Sequence, residues 1–359
     1  MCNMNKSLKE KIIESPKAEL HVHLRGAMPR QVLAELAKKH PPNEVWNKLG
    51  FMLRREYGKF KNIQRFVENP QNISGLFRFE SFYNFLITYG FTRHFIRNID
   101  DFRLLIRGVI DFLKAQNIVY AEVTVSLIEY IDIGFPLDDL VDCLEDEAAA
   151  AKGIRIQWIA DLVRNFGSRK GFRVLRDLVR LKPKSFVGIT LGGSEDYCHP
   201  KAYAKHFKMA REAGFSTTVH AGEAMGPESV WRSLKSLKPD RIGHGIRSVE
   251  DDSLLKHLAE KKISLEVCPT SNVFLGVYPS YEQVPIRRLC NAGARVTINS
   301  DDPAFFGASL NDELSRLPEL GFSGEDIVEF IEEGFMSAFI SDEEKTLYIS
   351  TVQEEWEKN

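Results

Sequence analysis

No apolar run in the sequence approaches the ~20 residues that a membrane-crossing helix needs. The opening segment, 1–14, is polar and lysine-bearing with no apolar h-region, so neither export nor membrane insertion is expected and a cytoplasmic protein is. Cysteine is sparse: Cys2, Cys143, Cys198, Cys268 and Cys290 are scattered with no CxxC pair. That excludes the dense disulfide framework of small secreted domains and leaves reduced thiols as the simplest reading. An excess of one charge is also missing, since 48 Lys+Arg face 50 Asp+Glu for a net charge of -2. No global field then draws the chain to nucleic acid or an anionic membrane, and a small molecule is the expected partner. No stretch rich in Pro, Gly or Ser and no low-complexity tract marks a linker or a second domain.

What is present is enough apolar residue, 43% of 359, for a large core. Short runs rich in Val and Ile recur at 18–24, 119–125, 155–162, 186–191, 216–220, 241–244, 264–268 and 295–299, giving eight candidate strands. Helical patterns separate most of them, at 137–152, 171–181, 200–213, 227–237 and 251–261. Alternation at this pitch predicts parallel βαβ units, and eight of them are what a (β/α)8 TIM barrel requires. An open doubly wound sheet satisfies the same strand count. The interval between the first two strands is long, and 76–96 is aromatic and helix-compatible. We read one barrel domain over 1–359, with a helical insertion at about 41–116 lying over the barrel mouth. Two closing helices are expected at 323–339 and 343–358, the first opening on Ser323 with Glu325 and Asp326 in its first turn.

Several strand ends carry chemistry. His21 and His23 alternate on the first strand, which puts both imidazoles on one face about 7 Å apart along the backbone. Alone, such a pair is better explained by a solvent-facing strand. His220 ends the fifth strand and opens His220-Ala221-Gly222-Glu223, adding a third imidazole and a carboxylate on one turn; a satisfied core histidine is its plainer explanation. Asp301 and Asp302 follow the eighth strand, at the end where barrel enzymes assemble their sites, although helix N-capping accounts for one Asp. Taken jointly, His21, His23, His220 and Asp301 supply nitrogen and oxygen donors with one position left for water, as catalytic zinc prefers; iron or cobalt fits the same donors. His244, between Gly243 and Gly245, is free to face the cavity without being a ligand. The fourth strand ends without a lysine to bridge two ions, which favours one Zn2+, while Glu195 is left as the residue to reach a second.

The ordered motifs PKAELHVHLRGAM, TVHAGE, RIGHGI, EVCPTSN and TINSDDPAFFG resemble the adenosine deaminase family over nearly the whole chain from Pro16. The resemblance implies hydrolytic deamination of an adenine-type purine nucleoside at C6 with release of ammonia, adenosine to inosine first. It implies one zinc on His21, His23, His220 and Asp301, with Glu223 protonating N1 and His244 orienting or deprotonating the attacking water. Asp302 then contacts N7 and the Gly193 N–H contacts N3. No organic cofactor is implied.

Two positions depart from the family pattern. Where adenosine deaminases carry an acidic residue after His-x-His-Leu, this chain has Arg25, which accepts no hydrogen bond but suits an anionic group beyond the 5′ position. That makes deamination of the 5′-extended nucleoside aminodeoxyfutalosine an alternative, with adenine or another aminopurine behind it. An Arg25 turned to the surface, or paired with Glu80 or another insertion carboxylate, explains the residue without a substrate. The second departure is Thr190-Leu191-Gly192-Gly193-Ser194-Glu195, which replaces the usual aspartate and alanine before the glycine. Of the insertion aromatics, Phe77, Phe79, Phe82, Tyr83, Phe85 and Tyr89, only some are expected to face a pocket. A different amidohydrolase and a catalytically dead zinc protein are the other classes; the latter needs neither Glu223 nor His244. A nucleic-acid deaminase is disfavoured, because its H-x-E and P-C-x-x-C arrangement is absent.

Overall fold

Parallel pairing organises the whole sheet. The computed structural model describes residues 7–358, so Cys2 lies outside the described residues. The strands are β1 (Lys17–His23), β2 (Ile118–Val125), β3 (Arg155–Asp161), β4 (Phe186–Thr190), β5 (Ser216–Thr217), β6 (His220–Ala221), β7 (Arg241–His244), β8 (Ser264–Val267) and β9 (Arg295–Ile298). They pair in the orders β1-β2-β3-β4-β5 and β6-β7-β8-β9, every ladder parallel.

The expected fifth strand, 216–220, is broken into β5 and β6. Between them the chain keeps its place: the N–H of Thr218 donates to Ile189 O at 3.0 Å, and the N–H of Gly243 donates to Val219 O at 2.9 Å. At the other seam β9 runs back to β1. The Leu20 N–H donates to Asn299 Oδ1 at 3.1 Å, Asp301 N–H to His21 O at 3.0 Å, and His23 N–H to Asp301 O at 2.9 Å. Eight strand positions thus return to the first, and the sheet is a (β/α)8 barrel with no free edge.

Strands buried on both faces explain the near-continuous apolar runs in the sequence. Trp158, Ile159, Val123, Leu265 and Val267 are all fully buried. Helix Gly324–Ser337 starts where expected: the Ser323 side chain accepts from the Asp326 N–H, and the Asp326 side chain accepts in return from the Ser323 N–H. Helix Asp342–Lys358 follows.

The interval from β1 to β2 holds seven α-helices, from Arg30–Lys39 to Ile99–Lys114. Its aromatic helix, Phe82–Thr92, packs onto the short helix Pro303–Phe306 after β9: Phe85 lies 5.0 Å from Phe306 and Tyr89 lies 5.1 Å from Phe305, ring centre to ring centre. These contacts place the insertion against the carboxyl end of the barrel. Among the described residues, no helix is long and apolar enough to cross a membrane.

Candidate active site

A cavity of about 750 Å³ opens at the carboxyl ends of the strands, walled by strand-end residues on one side and by Phe85, Leu86 and Tyr89 of the insertion on the other. Phe77 and Phe79 instead pack on Phe305, and Tyr83 is exposed.

The strand alternation read from the sequence puts His21 and His23 side by side, ring centres 5.5 Å apart. His23 Nε2 lies 3.3 Å from His220 Nε2 and 3.3 Å from Asp301 Oδ1, and His21 Nε2 lies 3.6 Å from the same oxygen. Ligands at ~2.1 Å from a tetrahedral ion stand about 3.4 Å apart, so these separations suit donors around one metal. Two further facts support the fit. Buried His21 Nε2 has no hydrogen-bond partner, while its Nδ1 sits 2.7 Å from Glu266 Oε2, the outer carboxylate that fixes a ligand imidazole. Asp301 Oδ2 accepts from Ser271 Oγ at 2.6 Å, leaving Oδ1 to the histidines.

The backbone is bent to achieve this. Asp301 and His244 have φ of 61° and 58°, left-handed values that a non-glycine residue adopts at a cost of about 1–3 kcal/mol. A Cβ on Gly243 would lie 2.9 Å from His21 Cε1, so only glycine lets that ring stand against β7.

His244 Nε2 lies 3.6 Å from Glu223 Oε2 and 4.0 Å from Asp301 Oδ2, and His244 Nδ1 lies 3.4 Å from Asn272 Nδ2. Burial disfavours the charged imidazolium of His244 and lowers it to about 3, so the ring is neutral. Burial, then the charges of Asp301 and Glu195, push the Glu223 carboxyl up to about 8, favouring its protonated form. Asp302 is buried with no partner for Oδ1; burial and the adjacent Asp301 charge raise its carboxyl as well. Carboxyls whose charged form is disfavoured and an imidazole whose charged form is disfavoured therefore stand together at one end of the cavity. Cys268 also reaches ligand distance of His21 and His244, but burial and the Asp301 charge raise its thiol well above the usual range.

Residues 16–355 match the adenosine deaminase family model. The chain belongs to the adenosine deaminase family. It is similar to an aminodeoxyfutalosine deaminase of Streptomyces avermitilis, 34% identical over 320 residues, 86% of this chain and 84% of that one. An adenine deaminase from Arthrobacter aurescens superposes with a TM-score of 0.83 at 26% identity, over 96% of this chain and 100% of that one. A zinc-bound amidohydrolase from Burkholderia ambifaria shares the fold, with a TM-score of 0.84 at 21% identity over 99% and 95% of the two chains.

Within this adenosine deaminase family barrel, two expectations need correcting. Arg25 is neither turned to the surface nor paired with Glu80. It is 3% exposed, lies 3.9 Å over the Tyr89 ring and reaches Glu129 Oε2 with Nη2 at 2.7 Å. Glu129 belongs to helix Leu127–Ile131 after β2, not to the insertion. The second concerns Glu195, left in the sequence as a candidate for another ion: its two oxygens are taken by backbone N–H groups of Gly222, Glu223 and Ala224.

Other residues of the site went unread in the sequence. Fully buried Arg164 donates from Nη1 to Leu191 O at 2.9 Å and from Nη2 to His220 O at 2.8 Å, binding the ends of β4 and β6 together. In the sequence it is one basic residue among several after the third strand. Ser271 and Asn272 stand inside the EVCPTSN motif, which was the available signal. Gly193, with φ 80°, lines the cavity.

Proposed function

We propose that the protein hydrolyses the C6 amine of an adenine-type purine nucleoside, releasing ammonia. The observation that carries this reading is geometric: Glu223 Oε2 stands 3.6 Å from His244 Nε2, with burial favouring the uncharged form of each, beside the cluster of His21, His23, His220 and Asp301.

His21, His23, His220 and Asp301 would hold one zinc ion. When bound, such an ion supplies Lewis acidity, lowering the pKa of water toward ~7 so that hydrolysis proceeds at neutral pH. Glu223 donates its proton to ring N1, which spares the ring a full negative charge as water adds at C6. His244 accepts from that water and directs it. Asp302, protonated, donates to N7, and the Gly193 N–H donates to N3. Return of a proton to the amine lets the C6–N bond break, and ammonia leaves.

At the sugar end we propose a substrate with an anionic extension beyond the 5′ position. A guanidinium buried against the cavity, with Glu129 taking Nη2 and no acceptor at Nε or Nη1, supports that reading, since unfilled buried donors are costly. Aminodeoxyfutalosine has this chemistry. Glu129 favours a second reading: a carboxylate in the cavity accepts a free 5′-hydroxyl proton, as unmodified adenosine would require.

Ammonia release from zinc-loaded protein, measured with adenosine, adenine and aminodeoxyfutalosine over a concentration range, tests both levels. The expected result is the highest kcat/KM on the carboxylated nucleoside. Preference for adenosine transfers the sugar end to Glu129, and no release from any of the three removes the proposal.

A further inference from the structure

Glu195 stands two residues after Gly193 on the loop leaving β4 and is 8% exposed. Its oxygens receive successive backbone N–H groups of the turn after β6: Gly222 at 2.9 Å, Glu223 at 2.9 Å, Ala224 at 2.8 Å and Met225 at 3.3 Å. Ser229 Oγ, in helix Pro227–Leu237, donates to the same carboxylate. Every partner is a donor, which suits a side chain with two acceptor oxygens and no N–H of its own. Gly222, at φ 70°, makes the turn possible by letting consecutive N–H groups point to one side, and a Cβ there would lie 2.6 Å from Val230 Cγ2. Arg164 ties the same two segments from the barrel side, through Leu191 O and His220 O.

We propose that Glu195 is a positioning residue that sets the distance between the Glu223 carboxyl and the Gly193 N–H. The proposal rests on the purine deaminase reading, in which these groups meet N1 and N3. Both nitrogens flank C2 of one rigid ring, so their spacing is fixed by covalent geometry. The protein must present its two groups at a matching spacing, and a misplacement of ~1 Å costs about a hundredfold in rate. Glu223 sits on the β6 turn and Gly193 on the β4 loop, and the Glu195 carboxylate joins them directly.

Glu195→Gln keeps the shape but turns an amide NH2 toward N–H donors. Zinc-loaded variant and wild type are compared by metal content, by hydrogen exchange of the amides 222–225, and by turnover of a 6-aminopurine nucleoside and its 3-deaza analogue, in which C–H replaces N3. The expected variant retains metal, exchanges those amides faster with the rest of the chain unchanged, and loses about a hundredfold in kcat. Its 3-deaza penalty, about three- to tenfold in the wild type, shrinks toward none. Glu195→Asp, which keeps the charge, is expected to exchange more slowly than Glu195→Gln and to recover part of kcat; should Glu195→Gln fail to fold, it carries the comparison with wild type alone. Unchanged exchange, unchanged turnover, or an undiminished 3-deaza penalty overturns the proposal. So does parallel loss of metal and rate, which marks plain structural support. A wild type that deaminates no 6-aminopurine has a different signature and overturns the functional reading on which the proposal stands.

Discussion

A Cβ placed on Gly26 would stand 1.7 Å from Oδ1 of Asp302. The backbone after β1 therefore presses directly on the carboxyl that the functional reading assigns to N7, and no side chain fits between them.

Gly26→Ala is thus expected to displace Asp302 while leaving the metal donors in place. Overpacking of this kind costs about 1–3 kcal/mol. A rate loss of about a hundredfold with metal content unchanged is expected. Steady-state kinetics with metal analysis checks it, and wild-type kcat/KM would place Asp302 outside the reaction.

Glu223→Gln should retain the metal and lose about 10²–10⁴-fold in kcat, the range of a lost general acid. The wild-type pH profile gives an independent check. Since the Glu223 carboxyl is pushed up to about 8, its protonated form dominates below that pH. The contribution of Glu223 to kcat/KM should hold at neutral pH and fall as pH rises through about 8. A profile still rising beyond pH 9 contradicts the role.

Arg25→Gln can still hydrogen-bond Glu129 but carries no charge. Loss of a hydrogen bond to a charged group, about 1.5–3 kcal/mol, predicts that preference for a carboxylated nucleoside over adenosine drops roughly 10- to 150-fold. Unchanged ratios of kcat/KM move Arg25 out of the substrate site.

His220→Ala should lose metal and turnover together. In the wild type, chelation should lower Tm, because a ligand present at a hundredfold excess over its Kd contributes about 2.7 kcal/mol. Readdition of zinc should restore both Tm and turnover in the wild type alone; a Tm indifferent to chelation means the four donors hold no ion.

The sequence was most readable where chemistry and periodicity coincide along the chain. β7 spans the expected 241–244, and helix Pro227–Leu237 spans the expected 227–237. The convergence of His21, His23, His220 and Asp301 was legible because alternation and strand ends specify direction. The break between β5 and β6 was not, because it depends on partners in β4 and β7 rather than on Ser216–His220 itself. Glu195, Arg164 and Glu129 were misread or missed for a related reason. Each acts on a segment distant in sequence, and a charged residue looks the same in sequence whether it faces solvent or buried partners of opposite hydrogen-bonding character. Arg25 shows the limit clearly: its chemistry could be read, but its partner could not.

The seam that closes the barrel has a consequence for how the chain comes to be folded. Leu20 and Asn299 are 279 residues apart, and His21 and His23 on the first strand meet Asp301 just past the last one. During synthesis the first two donors emerge early and wait until the last strand has left the ribosome. Loop closure over such a span is slow relative to local helix formation. The four side chains consequently come together only with the final closure, and on the proposed function an ion held by all four would act as a latch on the finished ring.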